Sequence, residues 1–107
     1  MRGNQMGKIS LKEHIEFSPE KYISKILFDS EKARLVLFCL EKGQEIAPHT
    51  VKSQVVMVVV SGKGTITAGN KTHKVKQDSL VVSESMEAHG IKAEEQMVVL
   101  ATIIPRP

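Results

Sequence analysis

Tryptophan is absent from this sequence, and the aromatic residues amount to one tyrosine and three phenylalanines: Phe17, Tyr22, Phe28 and Phe38. Proteins that bind nucleic acid through stacking need aromatic platforms beside a basic stripe. Here the lysines are scattered among glutamates and the formal net charge is only +3, so no nucleic-acid partner is expected. Cysteine is almost as scarce. The lone Cys39 excludes an intrachain disulfide framework and a multi-cysteine zinc site. Long apolar runs are missing too: the longest, Val55 to Val60, is strand-sized, well short of the roughly 20 residues of a membrane helix, so no membrane partner is expected. The opening residues Met1 to Gly7 are too polar for a signal peptide, and a cytoplasmic location is the expectation.

What the sequence does contain is enough apolar material, 41% of 107 residues, for one modest core. The expected division is an N-terminal arm with a short helix over residues 1–20 and a single domain over 21–107. Ser10 followed by Glu13 has the form of a capping box, and Leu11 with Ile15 supplies an i, i+4 apolar pair, which predicts a helix near residues 11–16. Ser18-Pro19 ends it, because proline disfavours helical geometry in its predecessor. From Tyr22 onward the pattern is β: strands are predicted at Tyr22–Phe28, Ala33–Leu40, a brief one at Glu45–Ala47, then Gln54–Val60, Gly64–Ala68, Lys71–Val75, Leu80–Ser83, Ala88–Ala93 and Met97–Ile104. Turn chemistry separates them, most clearly Gly69-Asn70, a two-residue hairpin signal between Ala68 and Lys71. Strands in such number with no intervening helices predict an all-β sandwich, barrel or jelly roll.

Alternation sorts the faces. Val55, Met57 and Val59 share one face of their strand, and Gln54, Val56, Val58 and Val60 share the other. Both faces are largely apolar, as suits a strand covered on two sides, the second cover being another element or another subunit. A homodimer is the expectation.

The spacing of Gly43, His49 and Gly62, with His89 downstream, resembles the motifs of the cupin superfamily. The run Gly43-Gln44-Glu45-Ile46-Ala47-Pro48-His49-Thr50-Val51 through Gly62 is similar to the first motif, G-x5-H-x-H-x3,4-E-x6-G. The stretch Asp78 to Ala93 is similar to the second, G-x5-P-x-G-x2-H-x3-N, with His89 at its histidine and Asp78, Glu84, Met86 and Ala93 in place of glycine, proline, glycine and asparagine. The resemblance covers residues 33 to 104. It implies a double-stranded β-helix, the cupin jelly roll of the RmlC-like type, in which two sheets enclose a pocket, and it implies a dimer for a small single-domain member.

The departures bear on function. In metal-binding cupins the ligands are two motif-one histidines, an acidic or amide residue and the motif-two histidine. Here Val51 and Val55 stand at two of those positions, and valine has no lone pair to donate. Only His49 and His89 carry over as metal ligands, with Gln54 as the nearest substitute donor. The cofactor expectation is therefore none, the open alternative being a divalent transition metal, Zn, Ni, Mn or Fe, held by His49 and His89. His49, His89, Gln54 and Met57 are the expected ligand-binding residues, and no catalytic residue is assigned. His14 and His73 read as surface histidines, Cys39 as a buried structural thiol, and Glu84 and Glu87 as solvated carboxylates. Three functions remain open at this stage: a small-molecule-binding cupin with a mostly apolar pocket, a metal-dependent dioxygenase or isomerase with a reduced ligand set, and a structural or interaction dimer with a vestigial pocket.

Overall fold

The computed structural model describes residues 7–107, so the first residues of the expected arm, 1–6, lie outside the described part. Among the described residues, nine strands follow one short helical turn: β1 (Ile23–Asp29), β2 (Arg34–Leu40), β3 (Glu45–Thr50), β4 (Gln54–Ser61), β5 (Lys63–Ala68), β6 (Lys71–Lys76), β7 (Leu80–Ser83), β8 (Ala88–Ala93) and β9 (Met97–Ile104). They pair antiparallel throughout, into a five-stranded sheet of order β1-β2-β9-β4-β7 and a four-stranded sheet of order β3-β8-β5-β6. Strand β9 lies between β2 and β4, in the middle of the five-stranded sheet. This is the double-stranded β-helix that the motif resemblance implied. Gly69-Asn70 turns β5 into β6 with Ala68 paired to Lys71, and Gly69 takes the left-handed conformation (φ 67°) that such a turn requires.

The core lies between the two sheets. On β4, Val55, Met57 and Val59 are fully buried, whereas Gln54, Val56, Val58 and Val60 on the other face are only partly covered. The inward side chains meet Leu40, Met97 and Val99 from their own sheet and Ile46, Ile66 and Ile91 from the facing one. Each such side chain contributes about 1.5–3 kcal/mol on full burial, so the two sheets are held together by apolar contact across the gap.

A second, smaller cluster sits on the outer face of the five-stranded sheet. Leu27, Leu37, Cys39 and Val98 are buried there beneath Ile9, Leu11, Ile15 and Phe17 of the N-terminal segment. That packing explains the main local departure from expectation. Only Lys12–His14 are helical, as a single 3-10 turn; Leu11 rather than Ser10 occupies the N-cap position, and no side chain caps it. An isolated turn gains too little from its own hydrogen bonds to offset nucleation, and the segment instead lies along the sheet, where Leu11 and Ile15 are partly buried against the outer cluster. Among the described residues, no helix is long and apolar enough to cross a membrane.

Candidate ligand cavity

The first histidine is positioned by an irregularity in β3. This strand runs to Thr50, beyond the predicted end at Ala47, and it passes through Pro48. Proline has no N–H to give a ladder and is confined to edge strands and bulges; β3 is the edge of its sheet and is bulged at this point. Ile46 pairs with Ile91 and His49 with His89, so Ala47 and Pro48 together face the single residue Gly90. The extra residue shifts the alternation by one. Without it His49 would share the outward face of Glu45, whereas the bulge turns it to the inward face of Ile46. Gly90 makes this geometry sterically feasible, because a Cβ there would stand 2.7 Å from the Ile46 carbonyl oxygen and 2.9 Å from the Pro48 nitrogen.

The two imidazoles consequently face each other as a cross-strand pair, ring centroids 4.5 Å apart and planes tilted by 53°. They border a cavity of about 70 Å³ between the sheets. Phe38, Val55, Met57 and Ile103 line it from the five-stranded sheet, Ile46 and Ile91 from the four-stranded one, and Val51 from the connection between β3 and β4. That connection is pinned by the β7–β8 turn: the Met86 N–H donates to the Val51 carbonyl at 2.9 Å, and the Ser85 hydroxyl donates to the carbonyl of Lys52. No lysine, arginine, aspartate or glutamate is among the lining residues.

The two rings are not equivalent. His49 is exposed, and its Nδ1 lies 3.2 Å from the Ala47 carbonyl oxygen. A carbonyl only accepts, so this contact puts the proton on Nδ1 and leaves Nε2 with a free lone pair. His89 is half-buried, and its Nδ1 is buried with no hydrogen-bond partner. Burial pushes the His89 pKa below its ordinary value of 6.5, the like charge of His49 pushes the same way, and the backbone of Glu87 partly opposes them.

Of the residues singled out in the sequence, His49, His89 and Met57 line the cavity together. Gln54 does not. It lies on the outer face of β4 and its amide donates to Glu84 Oε1 at 2.9 Å; the irregularity in the β4–β9 pairing falls between Val59 and Ser61, too far along to rotate it inward. His73 is exposed on β6, and His14 belongs to the N-terminal turn. Cys39 is fully buried on the far side of the sheet. Glu87 accepts the Glu84 N–H at 2.9 Å and so serves the β7–β8 turn. The sequence reading missed Phe38, Ile46 and Ile103 as cavity walls and the bulge that aims His49; Pro48 inside a β segment was the available signal.

A resident transition metal fits this donor set poorly. Zinc sites use three or four protein ligands, and among the described residues no three His, Cys, Asp or Glu side chains converge. Val51 and Val55 present methyl groups to the cavity beside the two histidines.

The family model described as a cupin domain matches residues 36–104. No functionally curated protein matches the chain. Among solved structures, an RmlC-like cupin protein from Desulfovibrio desulfuricans is 26% identical, covering 94% of this chain and 97% of its own, with a TM-score of 0.86. A protein from Thermus thermophilus is 24% identical over 95% of this chain and 100% of its own, with a TM-score of 0.89. A predicted oxalate decarboxylase from Thermotoga maritima is 22% identical over 79% of this chain and 81% of its own, with a TM-score of 0.73.

Proposed function

This chain belongs to the cupin domain family, and from that premise we propose that it is a small-molecule-binding protein whose ligand enters the cavity between the sheets, oriented by His49 and His89. The observation that carries the reading is the pairing of the two imidazoles at the border of an otherwise apolar cavity. A few polar groups converging on an apolar hollow are the ordinary make-up of a ligand site. The imidazole nitrogens of His49 and His89 are the polar side-chain groups that the lining offers a ligand.

A metal-dependent dioxygenase or isomerase is the weaker reading, since an activating cation has to be firmly held and only two donors converge. Nor does the chemistry named for the Thermotoga maritima neighbour transfer: oxalate is a dianion, and among the described residues no cationic side chain lines this cavity. We further propose a homodimer formed on the outer face of the five-stranded sheet, and a cytoplasmic location for a protein whose single thiol, Cys39, is unpaired and buried.

The deciding experiment is metal analysis of protein purified without a histidine tag, for the wild type and for His49→Ala and His89→Ala. The expected result is substoichiometric metal in all three, with a small molecule from cell lysate retained by the wild type and lost from the variants. One equivalent of metal in the wild type, lost in both variants, would establish the enzyme reading instead. Neither metal nor ligand would leave a structural dimer.

A further inference from the structure

We propose that the cavity selects an uncharged molecule of only a few non-hydrogen atoms: a short or branched hydrocarbon body carrying one hydrogen-bonding oxygen, as in a low-mass ketone or alcohol. The inference rests on the reading of the cavity as a ligand site and specifies what that site takes.

Size sets the first limit. Pockets for drug-sized ligands run to about 300–1,000 Å³, whereas this cavity measures about 70 Å³. A hollow of this size does not enclose a sugar, a nucleotide or an aromatic metabolite, and the walls that would have to part to enclose one, Val55 and Met57 on one side and Ile91 on the other, belong to the packed core.

Charge sets the second. The walls are hydrocarbon apart from the two imidazoles and the Met57 thioether, and among the described residues no cationic or anionic side chain lines the cavity to neutralise a buried ion. Taking an ion out of water without a counter-charge costs far more than a cavity of this size returns.

Polarity sets the third. His89 Nδ1 is the one side-chain nitrogen or oxygen that is buried without a hydrogen-bond partner among the described residues. A ligand oxygen lying beside the His89 ring has an imidazole nitrogen to bond. A second oxygen has only the His49 Nε2 lone pair at the border to bond; deeper among the methyl groups it would go unpaired, at about 1–3 kcal/mol, roughly a five- to hundred-fold loss of affinity.

The test is a set of three near-isosteric probes, 2-butanone, isobutanol and isobutyrate, titrated at pH 8 into the full-length protein. Backbone amide shifts of His89, Gly90 and Ile91 are followed by two-dimensional nuclear magnetic resonance. Both uncharged probes are expected to shift these amides saturably, and isobutyrate to bind at least about tenfold more weakly. His89→Phe, which keeps the ring and removes the nitrogens, is expected to weaken isobutanol at least about fivefold. Val51→Phe, which fills the cavity from a half-buried loop position, is expected to abolish binding without disturbing the core strands. Isobutyrate binding as tightly as isobutanol would overturn the uncharged class while leaving the cavity as a ligand site. Unchanged isobutanol binding in His89→Phe would overturn the role of the His89 ring nitrogens. No shift with any of the three probes would overturn both the ligand class and the site.

Discussion

Met86 and Asp78 hold backbone conformations that their side chains disfavour. Their φ angles are 70° and 75°, in the left-handed region where a Cβ costs about 1–2 kcal/mol. Both stand at positions where the second cupin motif carries glycine, so the chain keeps the backbone path of the motif after losing the residue that makes it easy. Aspartate tolerates this conformation better, because its short side chain bonds locally. Methionine has no such compensation, and Met86 is 60% exposed, so little burial is lost on removing it. Met86→Gly is therefore expected to raise unfolding stability by about 0.5–1 kcal/mol, the relief of strain exceeding the extra chain entropy of glycine. Urea denaturation checks this, and Asp78→Gly should give a smaller gain. At His49 and His89 the sequence was legible in identity and in pairing. It was not legible in environment: that one ring is exposed and braced by the Ala47 carbonyl, and the other half-buried with an unsatisfied nitrogen, depends on which atoms the fold stacks around them.

At the scale of elements, the site depends on β3 and β8 approaching more closely than a regular ladder allows. Gly90 is the residue that permits it. A Cβ at this position meets backbone rather than flexible side chain, at 2.7 Å from the Ile46 carbonyl oxygen and 3.0 Å from the Pro48 Cα. Gly90→Ala is expected to cost about 1–3 kcal/mol, the usual penalty of overpacking, and to disturb the bulge that faces His49 inward. Chemical denaturation reads the first effect, and a shift of the His49 ring resonances, absent from a distant surface control such as Lys71→Ala, reads the second. The strands were legible because period-two alternation and turn residues are local signals. The length of β3 was not, because a proline reads as a strand terminator unless the position is known to be a sheet edge. The predicted helix failed for the converse reason. Its signals were local and weak, and burial of Leu11 and Ile15 against the sheet outweighed them.

For the molecule as a whole, the outer face of the five-stranded sheet is covered over only part of its width. The N-terminal segment shields Leu37, Cys39 and Val98. Beyond it, Val58 pairs with Leu80 and Val56 with Val82 on adjacent strands, and Leu80 and Val82 are 60% and 42% exposed. Ile104, paired with Gln54 on the same face, extends the strip. A contiguous apolar strip on a sheet face is a characteristic subunit contact. Sedimentation is expected to find a dimer of the 11.8 kDa chain, converted to monomer by Leu80→Lys with Val82→Lys. A wild-type species of 11.8 kDa alone would remove the proposal.

The sequence by itself determined the class of fold, nearly every strand, the inward face of β4 and the two histidines, because alternation, turn residues and motif spacing act over a few residues of chain. Tertiary structure alone decided what lies between those histidines. The bulge opposite Gly90 faces His49 inward, the alternation of β4 keeps Gln54 out, and walls drawn from both sheets close on about 70 Å³. Cavity size and buried polarity are sums over residues distant in the chain, and no local pattern encodes them.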